Sequence, residues 1–178
     1  MSITQRVRLP QPNLIDLTNF NNKDSVIIEI INTTHKFAPD ALESGSDSKN
    51  APIFGSIAYV NATKISETTF GLPFFRFKRG TTPHIKFINK TGYSFDLHWH
   101  GLNTTADIDG ASTEVQFGVD TKIGTTLDLQ FPIINNNSAL LWFHAHPMFI
   151  AAAFLYTGVY GLLQIVDEIS SPITNRFE

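Results

Sequence analysis

Four of the six histidines in this 178-residue chain form two His-X-His pairs. His98 and His100 lie in the stretch "SFDLHWHG", and His144 and His146 lie in "LLWFHAHPM". Neutral imidazole is a good ligand for copper, zinc, iron and nickel. The four side chains are therefore candidate metal ligands, although the residue type alone leaves the metal open.

The spacing of each pair places both imidazoles on one face of a β-strand. Side chains two residues apart in a strand point to the same side, about 6.8 Å from each other. Trp99 and Ala145 then face the other way, and Gly101 ends the first strand at a turn. One such pair often arises by chance, but two pairs beside aromatic residues favour a shared metal site. His35 and His84 have no such partner, and we expect them to be exposed or half-buried without a metal role.

The composition is typical of one folded domain. Hydrophobic residues make up 42% of the chain and charged residues 16%, and the length allows a core without disulfides. The formal net charge of -3 argues against a nucleic-acid partner. Because the chain contains no cysteine, disulfides, thiolate metal sites and cysteine nucleophiles are excluded within it.

Short alternating segments separated by turn residues predict an all-β sandwich or barrel. Strands are expected in residues 24–31, 57–62 and 125–133. The segment 73–101 alternates apolar and polar residues across glycine turns, which is typical of antiparallel strands with one buried face. Residues 38–55 are rich in Gly, Pro, Ser, Asp and Asn, so we expect a loop there.

The pattern divides the chain into three parts. Residues 1–20 are expected to form an irregular amino-terminal arm, residues 21–168 one β domain, and residues 169–178 a tail or the start of a linker. The amino terminus has no uninterrupted apolar stretch of the kind found in a secretory signal. The sequence therefore leaves the cellular compartment open.

Residues 148–166 are apolar over nearly the length of a membrane span. Gly158, Gly161 and Gln164 interrupt this stretch. The sequence instead favours a short buried helix after the second histidine pair, followed by a buried strand in "YGLLQIVD". We therefore expect no membrane span.

The histidine motifs and their surroundings resemble the multicopper oxidases, the family of laccases, ascorbate oxidases and bacterial copper oxidases. "HWHG" and "WFHAH" are similar to the first and second copper motifs of that family. "GLPFFRFKRGTTPHIKFINKT" resembles the strand region before the first motif, Asp109 and Gly110 match a frequent Asp-Gly pair, and "GVYGLLQIVD" resembles the strand that closes the domain. The similarity covers about residues 25–167. It implies that residues 21–168 form a cupredoxin-like Greek-key β-sandwich, the amino-terminal domain of such an oxidase.

The resemblance also implies a role for each ligand. His98 would bind the type 2 copper, and His100, His144 and His146 would bind the type 3 copper pair. Together they would form half of the trinuclear cluster at which dioxygen is reduced to water while a substrate is oxidised by single electrons. Asp109 matches an acidic residue that in some members helps to deliver protons, and its alternative role is that of an ordinary Asp-Gly turn residue.

The other copper motifs of the family are missing from this sequence. The type 1 copper site requires a His-Cys-His motif, and the chain has no cysteine. The chain is then a piece of a longer enzyme, or a subunit completed by a carboxy-terminal cupredoxin domain of a second polypeptide or a neighbouring protomer. The alternatives are a non-catalytic cupredoxin-like module with a copper-binding or structural role, and a protein that stores zinc or copper.

Overall fold

The described part of the chain folds into two five-stranded β-sheets. The computed structural model describes residues 13–21, 24–35, 53–111, 126–133 and 136–167. The strands are β1 (Leu14–Asp16), β2 (Val26–Thr33), β3 (Ile53–Val60), β4 (Thr63–Thr68), β5 (Phe74–Lys78), β6 (His84–Asn89), β7 (His98–His100), β8 (Thr126–Gln130), β9 (Ala139–His144) and β10 (Tyr160–Val166), and the helices are α1 (Ala106–Asp109) and α2 (Ala151–Tyr156). The strand orders are β1-β5-β10-β9-β7 and β4-β3-β2-β6-β8. The prediction of an all-β sandwich is confirmed.

The expected strands are present with shifted ends. The predicted segment 24–31 corresponds to β2, 57–62 overlaps β3, and 125–133 contains β8. Of the expected loop over 38–55, only the last three residues are described, and they begin β3. Residues 169–178 lie outside the described residues.

Aromatic side chains from both sheets meet in the core. Phe75 on β5 and Trp99 on β7 approach Phe87 on β6 of the other sheet, with ring centroids 6.2 and 5.8 Å apart. Trp99 also contacts Phe143 on the neighbouring strand β9, at 4.6 Å. Such rings bury large apolar areas and are the main favourable contribution to a core of this kind. The core therefore fixes the strands that carry the histidines.

Residues 14–17, which were expected in an irregular arm, belong to the domain. β1 pairs in parallel with β5, and Ile15 and Leu17 are 2% and 1% exposed. The strand has three residues, which is too few for its alternation to stand out in the sequence. Residues 1–12 lie outside the described part of the chain.

Strand directions differ from the antiparallel arrangement expected for residues 73–101. β5 pairs in parallel with both β1 and β10. β6 pairs in parallel with β2 and antiparallel with β8, so β5 and β6 lie in different sheets. Alternation shows which face of a strand is buried, but it does not specify the direction of the neighbouring strand.

The apolar stretch 148–166 forms a helix and a strand. α2 is followed by β10, whose side chains alternate between buried and half-buried. The expectation of a buried helix is wrong for most of α2, because it buries Phe154 while Tyr156 is 86% exposed. In the described ranges, no helix is long and apolar enough to span a membrane.

The aromatic core yields a stability prediction. Phe87 is fully buried, whereas Phe149 is 97% exposed. Phe87→Ala leaves a cavity and should lower the free energy of unfolding by about 3–5 kcal/mol. The matched control, Phe149→Ala, should change it by no more than about 0.5 kcal/mol. Urea unfolding measures both, and equal losses would contradict this description of the core.

Candidate metal centre

The pairing of β7 with β9 brings the two histidine motifs together. The strands are antiparallel, with His98 opposite His144, Trp99 opposite Phe143 and His100 opposite Trp142. Residues opposite each other in such a pair have their Cα atoms about 4.5–5.5 Å apart. Trp99 and Phe143 are fully buried on the core face, so His98 and His144 lie on the other face.

All four imidazoles converge on that face. The His98 ring lies 5.4, 5.5 and 5.2 Å from the rings of His100, His144 and His146. Ligand atoms of His98, His100 and His144 all lie within 4.8 Å of one another, which is close enough to hold a metal ion. The four predicted ligands are thus adjacent in space.

His146 reaches the cluster from outside the strand. β9 ends at His144, so the expectation that both histidines project from one strand is wrong for His146. Pro147 follows His146 and has no N–H to donate to a sheet, which disfavours continuation of the strand. The His146 ring nevertheless lies 5.6 Å from that of His144.

The other two histidines lie elsewhere. His35 is half-buried, with Nδ1 2.8 Å from Oγ1 of Thr69. His84 is exposed on β6, and its Nε2 hydrogen-bonds to the carboxylate of Asp128 on β8. Their exposure agrees with the expectation from the sequence.

Hydrogen bonds to backbone carbonyls fix the orientation of two imidazoles. His98 Nδ1 lies 2.8 Å from the carbonyl oxygen of Asp109, and His144 Nδ1 lies 2.9 Å from that of Ala145. A carbonyl oxygen only accepts, so each Nδ1 carries the proton and donates it. In the neutral form of each imidazole, Nε2 then has a lone pair for a metal ion, which is the arrangement usual for histidine ligands.

Buried nitrogens without partners point to a ligand. In the part of the chain that the structure describes, Nε2 of His144 and Nδ1 of His146 are buried and have no hydrogen-bond partner. Leaving such a group unsatisfied costs about 1–3 kcal/mol. Coordination of a metal ion would satisfy both nitrogens. The donor set therefore fits a metal that favours imidazole, and copper is such a metal.

Trp142 packs directly against two of the imidazoles. Its ring lies 4.1 Å from that of His144, at 19° between the planes, and 5.2 Å from that of His100, at 30°. Stacking of this kind restricts rotation of the imidazoles and keeps water from their faces. The tryptophan of "LLWFHAH" thus contributes to the shape of the site.

Electrostatics favour the neutral, metal-binding form of His144. Burial lowers the pKa of His144, and the imidazoles of His98, His146 and His100 lower it further, while the bond to the Ala145 carbonyl acts in the opposite direction. A neutral imidazole binds metal, whereas a protonated one does not.

Asp96 is a residue of the site that sequence reasoning missed. Its carboxylate accepts a hydrogen bond from the backbone N–H of His146, with Oδ1 2.7 Å from the nitrogen. Burial raises the pKa of Asp96, and the bond from His146 opposes this rise. The sequence does carry a signal for Asp96: it lies two residues before His98, on the same side of an alternating segment.

Gly110 allows α1 to approach the first histidine. Its φ of 67° lies in the left-handed region, and a Cβ there would come within 2.0 Å of the carbonyl oxygen of Leu97. This close approach brings the Asp109 carbonyl to His98 and places the Asp109 carboxylate 3.5 Å from His98 Nδ1. The "DG" pair therefore has a structural role beside the site.

Comparison with known proteins decides the family. A sequence model described as multicopper oxidase matches residues 58–170. The chain belongs to the multicopper oxidase family. The resemblance seen in the histidine motifs is confirmed, and membership implies copper as the metal.

Relatives of this multicopper oxidase chain are longer proteins. The multicopper oxidase mco of Staphylococcus haemolyticus is 28% identical over 170 residues, covering 88% of this chain and 36% of that protein. Laccase-3 of Arabidopsis thaliana is 30% identical over 97 residues, 53% of this chain and 16% of that protein. The structure of the McoA multicopper oxidase from the hyperthermophile Aquifex aeolicus matches with a TM-score of 0.66 and 21% identity, covering 97% of this chain and 32% of that chain. The chain thus spans about a third or less of their length, and it has the expected cupredoxin-like fold.

Gly110→Ala tests the contact between α1 and the metal centre. The matched control is Gly80→Ala, because Gly80 also has a positive φ, 82°, but its Cβ would meet nothing within 4 Å. Left-handed strain should cost each variant about 1–2 kcal/mol. Gly110→Ala should cost more, because the new methyl group displaces Leu97 or α1, and should weaken Cu(II) binding about 10- to 100-fold. Thermal unfolding and copper titration compare them, and identical behaviour would contradict the proposed contact.

Acid should destabilise the metal-free chain through His144. Its folded pKa lies below the unfolded value of 6.5, so the unfolded chain takes up the proton first as the pH falls. The contribution of His144 is therefore complete above pH 6.5 and is lost as the pH falls through 6.5 towards the folded pKa. Urea unfolding between about pH 8 and about pH 5 measures this slope, since histidine titrates in that range. His144→Gln should reduce the slope, and an unchanged slope would refute the assignment.

Proposed function

We propose that this chain is a copper-binding oxidoreductase component that supplies half of a trinuclear copper cluster. The observation that carries the proposal is the convergence of four imidazoles on one face, two of them with buried nitrogens that lack partners. Membership of the multicopper oxidase family supports copper as the metal and dioxygen as the electron acceptor.

Each histidine has a proposed role. His98 binds the type 2 copper, and His100, His144 and His146 bind the type 3 pair. When bound, the copper ions would pass electrons to dioxygen and reduce it to water. The chain's own residues hold the imidazoles in place, through carbonyl acceptors behind His98 and His144 and through the stacked ring of Trp142.

Asp109 is the proposed proton relay. Its carboxylate lies 3.5 Å from His98 Nδ1, and its side chain is 36% exposed, so the group reaches both the site and solvent. The backbone carbonyl of the same residue takes the closer contact with His98, at 2.8 Å. Asp109 can therefore exchange a proton without releasing the imidazole.

A partner domain would complete the site. Among the described strands β7 is at the end of its sheet, and His100 on it is exposed, so the half-cluster lies at the edge of the sheet as described. The chain has no cysteine for a type 1 copper site and spans 36% of its S. haemolyticus relative. We propose a carboxy-terminal cupredoxin domain as the partner, on a longer form of this chain, on a second polypeptide or on a neighbouring protomer.

Dioxygen uptake tests the proposed function. The copper-loaded chain, combined with its carboxy-terminal cupredoxin partner, should consume dioxygen when a phenol or a reduced metal ion is added. His144→Ala should reduce uptake to background, because it removes a buried ligand of the cluster. The matched control is His84→Ala, since His84 lies on β6 in the other sheet and should leave uptake unchanged. An absence of uptake with the unmodified pair would refute the proposal.

The alternative is a non-catalytic copper-binding or structural module. The lack of cysteine favours this alternative, because the chain then has no type 1 copper site at which electrons from a substrate could enter. In that case His98→Ala and His144→Ala would leave the biological function unchanged. If the chain instead stored metal, the chain alone would bind copper or zinc stoichiometrically and retain it without a partner.

A further inference from the structure

His146 differs from the other three ligands in how its backbone is held. His98, His100 and His144 lie on paired strands, whereas β9 ends at His144. Among the described residues, the last sheet-like bond before the turn joins the Ala145 N–H to the Val159 carbonyl at 3.0 Å. The backbone of His146 therefore needs another contact to hold its imidazole beside the other three.

Asp96 provides a contact at that position. The His146 N–H donates to Oδ1 of Asp96 over 2.7 Å, a short bond to an acceptor that carries charge when ionised. Asp96 is half-buried and lies two residues before the start of β7, separated from His98 by Leu97. The bond therefore links the chain segment of the first histidine motif to the backbone of the second.

Burial along this segment places Asp96 on the ligand face. Phe95, Leu97 and Trp99 are buried in the core, and Asp96, His98 and His100 alternate with them. The carboxylate thus shares a face with two ligands while bonding the backbone of a third. Pro147 disfavours helical backbone at His146, and the bond to Asp96 restrains where that backbone lies.

We propose, on the basis of the proposed function, that Asp96 is a positioning residue for His146. Its carboxylate replaces the sheet pairing that ends at His144 and holds the His146 imidazole against those of His98 and His144. The role requires a hydrogen-bond acceptor at position 96 more than a negative charge. Asparagine should therefore hold the His146 N–H, and alanine should not.

Copper titration of the full chain with three variants tests this role. Competition against a chelator of known affinity measures Cu(II) binding, and electron paramagnetic resonance reports the nitrogen ligands. Asp96→Ala should weaken binding about 10- to 100-fold and alter the nitrogen pattern. Asp96→Asn should restore both. The matched control Asp128→Ala, which removes an exposed aspartate of the other sheet, should behave as the unmodified chain.

A double-mutant cycle separates positioning from general loosening of the fold. If Asp96 acts through His146, adding Asp96→Ala to His146→Ala should cause no further loss of Cu(II) affinity. Additive losses would overturn the proposal, as would equal losses for Asp96→Asn and Asp96→Ala or unchanged binding in Asp96→Ala.

Hydrogen exchange measured by nuclear magnetic resonance on the unmodified chain tests the bond without requiring that any variant folds. The His146 amide should be protected from hydrogen exchange, and an unprotected amide would overturn the proposal. Failure of the unmodified chain to bind Cu(II) would count against the proposed function, whereas binding that is unaffected by Asp96→Ala would count against the role of Asp96 alone.

Discussion

The pairing of β7 with β9 is the constraint on which the candidate metal centre depends. It places His98 opposite His144, and on the core face it places Trp99 opposite Phe143. A shift of one residue would move the histidines into the core and Trp99 to the surface. The stacked Trp99 and Phe143 rings, 4.6 Å apart, oppose such a shift. Packing of the core on one face therefore sets the positions of the histidines on the other.

The candidate ligands are held in two different ways. His98 and His144 are on strands, and backbone carbonyls fix the orientation of their rings. His146 lies beyond the strand, and Asp96 holds its backbone. Both arrangements bring a second segment of the chain to the site, since Asp109 comes from α1 and Asp96 from the loop before β7. The site therefore depends on tertiary contacts as well as on the alternation of side chains along the strands.

The sequence predicted what depends on local pattern. Alternation of apolar and polar residues with a period of two predicted the β-sandwich. The two histidine pairs identified the four imidazoles that the structure brings together. It could not supply the parallel pairing of β1 with β5, or the bond from His146 to Asp96, because each depends on a partner some fifty or more residues away in the chain. The position of His146 was predicted on a strand because its spacing repeats that of His98 and His100, although Pro147 follows.

Metal affinity and stability are linked in this arrangement. Among the buried polar atoms without a partner in the described residues are Nε2 of His144 and Nδ1 of His146, and each of these two nitrogens makes the metal-free fold less stable. The aromatic core offsets this cost, since rings such as Phe87 and Trp99 are buried whether or not a metal is bound. A metal ion would then bind to ligands that are already in place, so little ordering would oppose its binding. Because it would also satisfy the two nitrogens, binding would favour the folded state over the unfolded one.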